Sequence, residues 1–345
     1  MSAPFKGVLV GCGSISDSWL KLLGAREDVE LVGLVDLNKQ AARDKAAKWH
    51  LTDALIGTDL VAVLEQTQPD VVFDCTVPEA HVTVTMTALE HGCHVLGEKP
   101  MADSMENARR MLAAARRTGK LYAVTQNYRY NQGVRRMKAF LETGVLGPLT
   151  TVNADFYQSV RFGGFRDHMP HVLLLDMAIH TFDMARFVTG ADPVSVYADD
   201  WNPSGSWFDH GASAVALFEM SKGLVFTYRG SWCAEGRSTT WASQWRIIGQ
   251  YGTVEWPGGG DTMSGQVLAD SSCPAGELRD LPEWDSVDDP ATLYGHEAIF
   301  DEFLTCIREG GEPATVCFEN IKSLAMVHAA VQSAETGRKV EIRMD

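Results

Sequence analysis

Three residues of this 345-residue sequence stand where proton transfer is possible: Lys99, Asp176 and His180. Asp176 and His180 are four apart in Leu174-Leu175-Asp176-Met177-Ala178-Ile179-His180-Thr181-Phe182-Asp183, so a helix brings them to one face, with Asp183 on roughly the same side. Leu173–Leu175, Met177, Ile179 and Phe182 make that helix apolar nearly all round, so the face is not an ordinary solvated one. A buried histidine beside a carboxylate is a candidate proton acceptor. The acid favours its charged form and desolvation opposes it. A core histidine merely satisfied by an aspartate would read the same way, so the pair needs support from elsewhere in the chain. Lys99 supplies some. It lies in Glu98-Lys99-Pro100, directly after the apolar run His94–Gly97, at the carboxyl edge of a strand where open α/β sheets bind ligands.

A second constellation calls for a phosphate. Gly11-Cys12-Gly13-Ser14-Ile15-Ser16 follows the first apolar run and opens a helical pattern. Glycines there permit a tight turn and a close approach of backbone N–H groups to a pyrophosphate, and the helix N-terminus adds partial positive charge. The third position of such a loop is usually Gly or Ala, and here it is Ser16. Asp36 ends the second strand twenty residues after Ser16. A carboxylate there accepts ribose hydroxyls and repels a 2′-phosphate, which favours NAD, with NADP as the alternative, since Lys39 stands nearby.

The elements that must carry these residues follow from periodicity. Short apolar runs (Gly7–Val10, Glu30–Asp36, Val71–Cys75, His94–Gly97, Leu121–Thr125) alternate with helical stretches (Ser14–Ala25, Lys39–Trp49, Leu60–Gln66, Glu79–His91, Ser104–Thr118), the mark of a parallel sheet covered on both faces. After Asn131 the rhythm changes. Helices are expected over Gln132–Thr143 and Val172–Thr189, with Gly190 and Pro193 at the stop of the second. Strands are expected at Leu149–Gln158, Val194–Asp199, Ala212–Met220, Leu224–Trp232, Gln244–Gly249 and Thr253–Trp256, with a hairpin turn at Ser221-Lys222-Gly223. Gly258–Asp289 reads as loop. Helices near Thr292–Glu309 and Glu319–Thr336 and a tail at Lys339–Arg343 close the chain. The fold class is α/β: a Rossmann doubly wound parallel sheet over 1–125, then an α/β domain over 126–345 with a large open, mainly antiparallel sheet. The C-terminal helix and tail are free to pack back on the first domain.

Composition narrows the classes. Hydrophobic residues make up 45% and charged residues 22%, as in globular proteins. The net charge of −15 repels nucleic acid and anionic lipid, so neither is expected as a partner. Seven dispersed cysteines without CxxC spacing suit a reducing compartment and no zinc, and no apolar run is long enough to span a bilayer. A cytoplasmic location is the expectation, and no metal.

With these motifs in this order the chain resembles the glucose–fructose oxidoreductase/inositol dehydrogenase family (Gfo/Idh/MocA), over nearly its whole length. The carriers are Gly11–Ser16, Thr76-Val77-Pro78-Glu79-Ala80-His81, His94–Pro100, Gln126-Asn127-Tyr128-Arg129-Tyr130 and Asp176–Asp183. The resemblance implies Lys99, Asp176 and His180 as catalytic residues. It implies cofactor contacts from Thr76, Val77, Pro78, His81, Glu98 and Asn127, beside the glycine loop and Asp36. It also implies an open sheet that commonly forms the oligomer interface, here a homodimer or homotetramer, and sugar, cyclitol or sugar-acid substrates.

The expected reaction is reversible oxidation of a secondary alcohol of such a carbohydrate or cyclitol. His180 takes the hydroxyl proton, Asp176 orients the imidazole, and Lys99 steadies alkoxide charge or shares the relay. Tyr128, Arg166 and Trp232 are the further substrate-binding candidates beside Lys99, Asp176 and His180. Arg166 belongs to the polar loop Arg161–His171, whose Arg161, His168 and His171 could bind hydroxyls or a carboxylate, and Trp207, Phe208 and Trp241 could add flat apolar walls. Two alternatives remain open: NAD-dependent glycosidase-like chemistry on the same scaffold, and a non-enzymatic NAD- or sugar-sensing regulator.

Overall fold

The computed structural model describes residues 3–260, 262–272, 276–281 and 293–344. The chain divides into two compact units, Met1–Thr125 with His296–Ile321, and Gln126–Gly295 with Lys322–Asp345.

The first unit is built on β1 (Phe5–Val10), α1 (Ser16–Gly24), β2 (Val29–Val35), α2 (Lys39–Lys48), β3 (Leu55–Gly57), α3 (Leu60–Thr67), β4 (Val71–Asp74), α4 (Pro78–Glu90), β5 (His94–Gly97), α5 (Met105–Thr118) and β6 (Tyr122–Val124). The six strands pair in the order β3-β2-β1-β4-β5-β6, all parallel. This is the expected Rossmann sheet, with one strand more than the apolar runs suggested. β3 escaped the reading because it is three residues long and only half-buried. Helix starts follow capping chemistry: Asn38, Asp59 and Ser104 accept backbone N–H groups at the heads of α2, α3 and α5, and Pro78 opens α4. Trp19, Phe73 and Phe300 meet edge-on or stacked at 4.9–6.1 Å in the core of this unit.

The second unit carries α6 (Gln132–Glu142), β7 (Leu149–Tyr157), α7 (Ile179–Thr189), β8 (Pro193–Trp201), β9 (Ser213–Met220), β10 (Val225–Ser231), β11 (Gln244–Gly249), β12 (Gly252–Trp256), β13 (Ser264–Leu268) and β14 (Leu278–Asp280). Then α8 (Gly295–Glu309) lies almost wholly in the first unit, α9 (Cys317–Thr336) spans the division, and β15 (Val340–Glu341) ends the second. Nine strands form one sheet in the order β14-β13-β12-β11-β7-β10-β9-β8-β15 among the described residues. All pairings are antiparallel except β7 with β10. Alternation does the work here: β9 buries Ala214, Ala216, Phe218 and Met220 and exposes Val215, Leu217 and Glu219. β10 follows β9 through the expected turn, with Lys222 at φ 64°.

Two expectations fail. The stretch Gly258–Asp289 is not all loop, because β13 and β14 extend the sheet. Their signal is faint: Val267 is the one buried side chain in β13, and every residue of β14 is exposed. The parts of that stretch at 261, 273–275 and 282–289 lie outside the described residues. Second, Val172–Thr189 is not one α-helix. Leu173–Ala178 forms a π-helix that runs directly into α7. The i,i+4 face drawn for Asp176 and His180 assumed α-helical winding throughout, whereas the wider turn places Asp176 on a different pitch from His180.

Candidate active site

In the first unit the loop after β1 is shaped for a close-lying ligand. Gly11 stands at φ +90°, and a Cβ on it would come within 2.7 Å of the Cys75 backbone. Nothing lies within 4 Å of where a Gly13 side chain would point, and Gly13, Ser14 and Ile15 are exposed. Ser16, the departure from the usual loop, is buried and donates its hydroxyl to the Gly13 carbonyl at 2.6 Å, closing the turn. No side chain caps the start of α1, and the helix head brings its partial positive charge to the loop. Asp36 follows β2. Its Oδ2 accepts from the Cys12 N–H and its Oδ1 from the Asn38 N–H, both at 2.7 Å, which fixes the carboxylate at the edge of the loop. The Cys12 thiol is pushed up to about 12 by burial, with the Asp36 charge adding to it. These features fit a dinucleotide: an open glycine cradle, an uncapped helix start and an anchored ribose acceptor.

The neighbouring loops are held from beneath. Asp74, wholly buried, accepts from Thr76 N (3.0 Å), from Thr76 Oγ1 (2.5 Å) and from His81, whose Nδ1 lies 3.0 Å away. Burial disfavours a charged His81 ring, yet Asp74 outweighs it and the pKa is raised. His81 Nε2 is buried with no hydrogen-bond partner among the described residues. Val77 is exposed and Pro78 half-buried, so Thr76–Pro78 form a rim on this base. Glu98 is buried. Its Oε1 accepts from Trp19 Nε1 (2.7 Å), and its Oε2 from Thr125 Oγ1 (3.1 Å) and Lys99 N (3.2 Å). The carboxylate thereby fixes the backbone from which the half-buried Lys99 projects. Sequence reading missed Asp74 and Trp19, since partners 79 residues apart leave no local pattern.

In the second unit the structure brings Tyr128, Arg166, Asp176 and His180 into one region. Asn127–Tyr130 form a 3₁₀ turn that puts half-buried Tyr128 against His180, ring centroids 4.6 Å apart. His180 is 6% exposed, and burial pushes the Tyr128 hydroxyl up to about 12, so it stays protonated. The turn is pinned by its own next residue: Arg129 donates Nε and Nη2 to buried Asp183 at 2.5 and 2.7 Å, and Ser323 Oγ adds a bond at 2.7 Å. Breaking a buried pair of this kind costs about 3–5 kcal/mol. Asp183 thus serves to hold the Tyr128 turn on α7, a role that its place in the motif did not reveal. Asp176 accepts from Arg166 Nε at 2.8 Å and Nη2 at 3.4 Å. Trp232 is 1% exposed, its ring enclosed by Phe156, Phe162 and Trp241. The accessible aromatic surface belongs instead to Trp241, Phe162 and Phe165, at 44%, 39% and 68% exposure.

Fold and loop geometry define an NAD-binding oxidoreductase class of chain. Residues 5–126 match the family model described as oxidoreductase family, NAD-binding Rossmann fold, and residues 134–255 match the GFO/IDH/MocA C-terminal domain. The chain belongs to the Gfo/Idh/MocA family. Among its relatives, D-glucoside 3-dehydrogenase of Escherichia coli is 28% identical, covering 99% of this chain and 98% of that one. D-apiose dehydrogenase of Paraburkholderia graminis is 26% identical over 98% and 90%. The same fold is seen in an oxidoreductase from Agrobacterium radiobacter in complex with NAD+, L-tartaric acid and magnesium, with a TM-score of 0.83 at 21% identity over 99% of both chains. Among the described residues no group of His, Cys, Asp or Glu is arranged to hold a metal, and no helix is long and apolar enough to cross a membrane.

Proposed function

We infer that this chain oxidises a secondary alcohol of a sugar, cyclitol or sugar derivative with NAD, or reduces the matching ketone. The observation that carries the reading is His180, an almost fully buried imidazole packed under Tyr128 and following the π-helix that bears Asp176. His180 accepts the hydroxyl proton at an imidazole nitrogen. Asp176 supports the positive ring, Tyr128 shields it from water, and Lys99 steadies negative charge on the substrate oxygen. NAD, when bound, supplies the acceptor for the two electrons leaving the carbinol carbon. Gly11–Ser16 hold its pyrophosphate, Asp36 its ribose, with Thr76–Pro78, His81, Glu98 and Asn127 around them. The anchored Asp36 carboxylate favours NAD over NADP. A panel of cyclitols, aldoses, anhydrosugars and sugar acids, each with NAD and NADP, followed at the NADH absorbance band, tests the reading. NADH formed with at least one member supports it, and none with any member overturns it.

The open sheet also supports self-association as a dimer or tetramer. Tyr197 and Trp201 on β8 and Val215 and Leu217 on β9 are 39–51% exposed on one face. Light scattering at micromolar concentration is expected to exceed the 37.8 kDa of one chain, and a value at that mass would remove the argument.

A further inference from the structure

Arg166 occupies a position that its ion pair with Asp176 does not exhaust. It sits on a 3₁₀ turn, Gly164–His168, entered through Gly163 and Gly164, both at φ +70° with open space where a side chain would lie. This backbone carries the guanidinium over the π-helix. There Phe162 and Phe165 flank it, with ring centroids 5.1 and 4.8 Å from the guanidinium carbon. Both rings are exposed, and the Arg166 side chain is itself 33% exposed. The far end of the turn is tied down by a bond from Asp209 N to Asp167 O at 2.8 Å and by His168 on Asp209 at 2.5 Å.

Guanidinium has five N–H donors in a planar fork with two edges that each match a carboxylate. Asp176 takes the Nε/Nη2 edge. The other edge, Nη1 with the second proton of Nη2, has no acceptor among the described residues. An arginine ordered by one carboxylate and two aromatic rings has already lost most of its rotamer freedom, so a second carboxylate meets it at low entropic cost. Asp209, which the turn also reaches, is engaged by His168. The rings of Phe162, Phe165 and Trp241 offer apolar surface to the C–H faces of a polyhydroxylated ring.

We propose that Arg166 is the specificity-determining residue of this site and that the substrate it selects carries a carboxylate beside its hydroxyls, as a sugar acid does. This deepens the reading above and rests on it for the identity of the reaction. Asp176 and the substrate carboxylate then share one guanidinium, so the same residue anchors the substrate and holds the acid that supports His180.

The test pairs D-glucose with D-glucuronate and D-galactose with D-galacturonate on NAD-loaded protein, measuring turnover by NADH absorbance and binding by calorimetry. Each acid is expected to exceed its neutral partner by about 10- to 100-fold in kcat/KM and in affinity, the worth of a charge-assisted pair. Arg166→Lys keeps a cation for Asp176 but loses the fork. It is expected to erase most of the acid-over-neutral ratio, and to do so through KM. Arg166→Met is expected to erase it altogether. Neutral sugars that match the acids, or an acid preference that survives Arg166→Met, overturn the proposal even when NADH accumulates. Acid binding that depends on Arg166 with no NADH from any compound upholds it and removes the oxidation reading instead. No binding of any acid overturns the proposal and leaves the oxidation reading to the wider panel.

Discussion

The glycine loop of the first unit and the histidine region of the second are made of different material. The loop after β1 presents backbone: N–H groups, a left-handed Gly11 and an open Gly13, with a carboxylate held by two further N–H groups. The region around His180 presents side chains, each held by another side chain: Tyr128 by way of Arg129 on Asp183, 54 residues away, and Asp176 by Arg166, ten residues away. A backbone site is specified by a few adjacent residues and tolerates change around it. A side-chain site is specified by pairs and fails when either member goes.

The sharpest way to probe that difference is to remove one member of the second region. His180→Ala is expected to lower kcat by about 10²–10⁴, with NAD affinity nearly unchanged because the cradle is built independently. Turnover near the wild-type level would move the proton role to Lys99. The reciprocal change is Gly11→Ala. The added Cβ would press on the Cys75 and Thr76 backbone, so NAD affinity is expected to fall about 10- to 100-fold, consistent with roughly 1–3 kcal/mol of forced backbone strain. Unchanged NAD titration curves would show that the loop does not approach the ligand. Asp36→Ser removes one side chain from the backbone site and is expected to narrow the NAD/NADP ratio of kcat/KM by about tenfold, without lowering the best rate. A wild type that prefers NADP would contradict the assignment of Asp36.

The smallest expected effect concerns the strand beneath Lys99. Burial pushes His94 down to about 4, and its neutral Nδ1 accepts the Leu121 N–H at 3.0 Å. The unfolded chain, titrating near 6.5, therefore binds more protons than the folded one between these values. Stability is full above about pH 6.5 and declines as pH falls toward 4, by about 1 kcal/mol after allowance for partial solvent exposure. Urea midpoints at pH 7 and pH 5 measure it. The fall should shrink in His94→Gln, and an equal fall in that variant would assign it to other groups.

The same contrast decides what could be read from residue order. Gly11–Ser16, Asp36 and the strands that flank them stand out because their chemistry is local and periodic. Asp176–His180 stood out as a pair, yet its π-helical winding did not, since nothing in Leu173–Ala178 marks an inserted residue. β3 and β14, three residues each, bury too little to leave a pattern. The bonds that give the site its shape, from Arg129 to Asp183 and Trp19 to Glu98, join residues 54 and 79 positions apart, beyond the reach of any spacing rule. Trp232 showed only its residue type, and burial rather than type decides whether a ring can meet a ligand.

The three-way junction on Asp183 bears on how the chain is made. Arg129 and Asp183 both precede Ser323, the third member, which lies 140 residues beyond Asp183. β15 and the bond from Ala198 N to Ser333 Oγ also wait for the last stretch. The first unit waits as well, because Phe300 completes the cluster of Trp19 and Phe73. Each unit therefore completes the packing seen here only with residues from the late elements α8, α9 and β15.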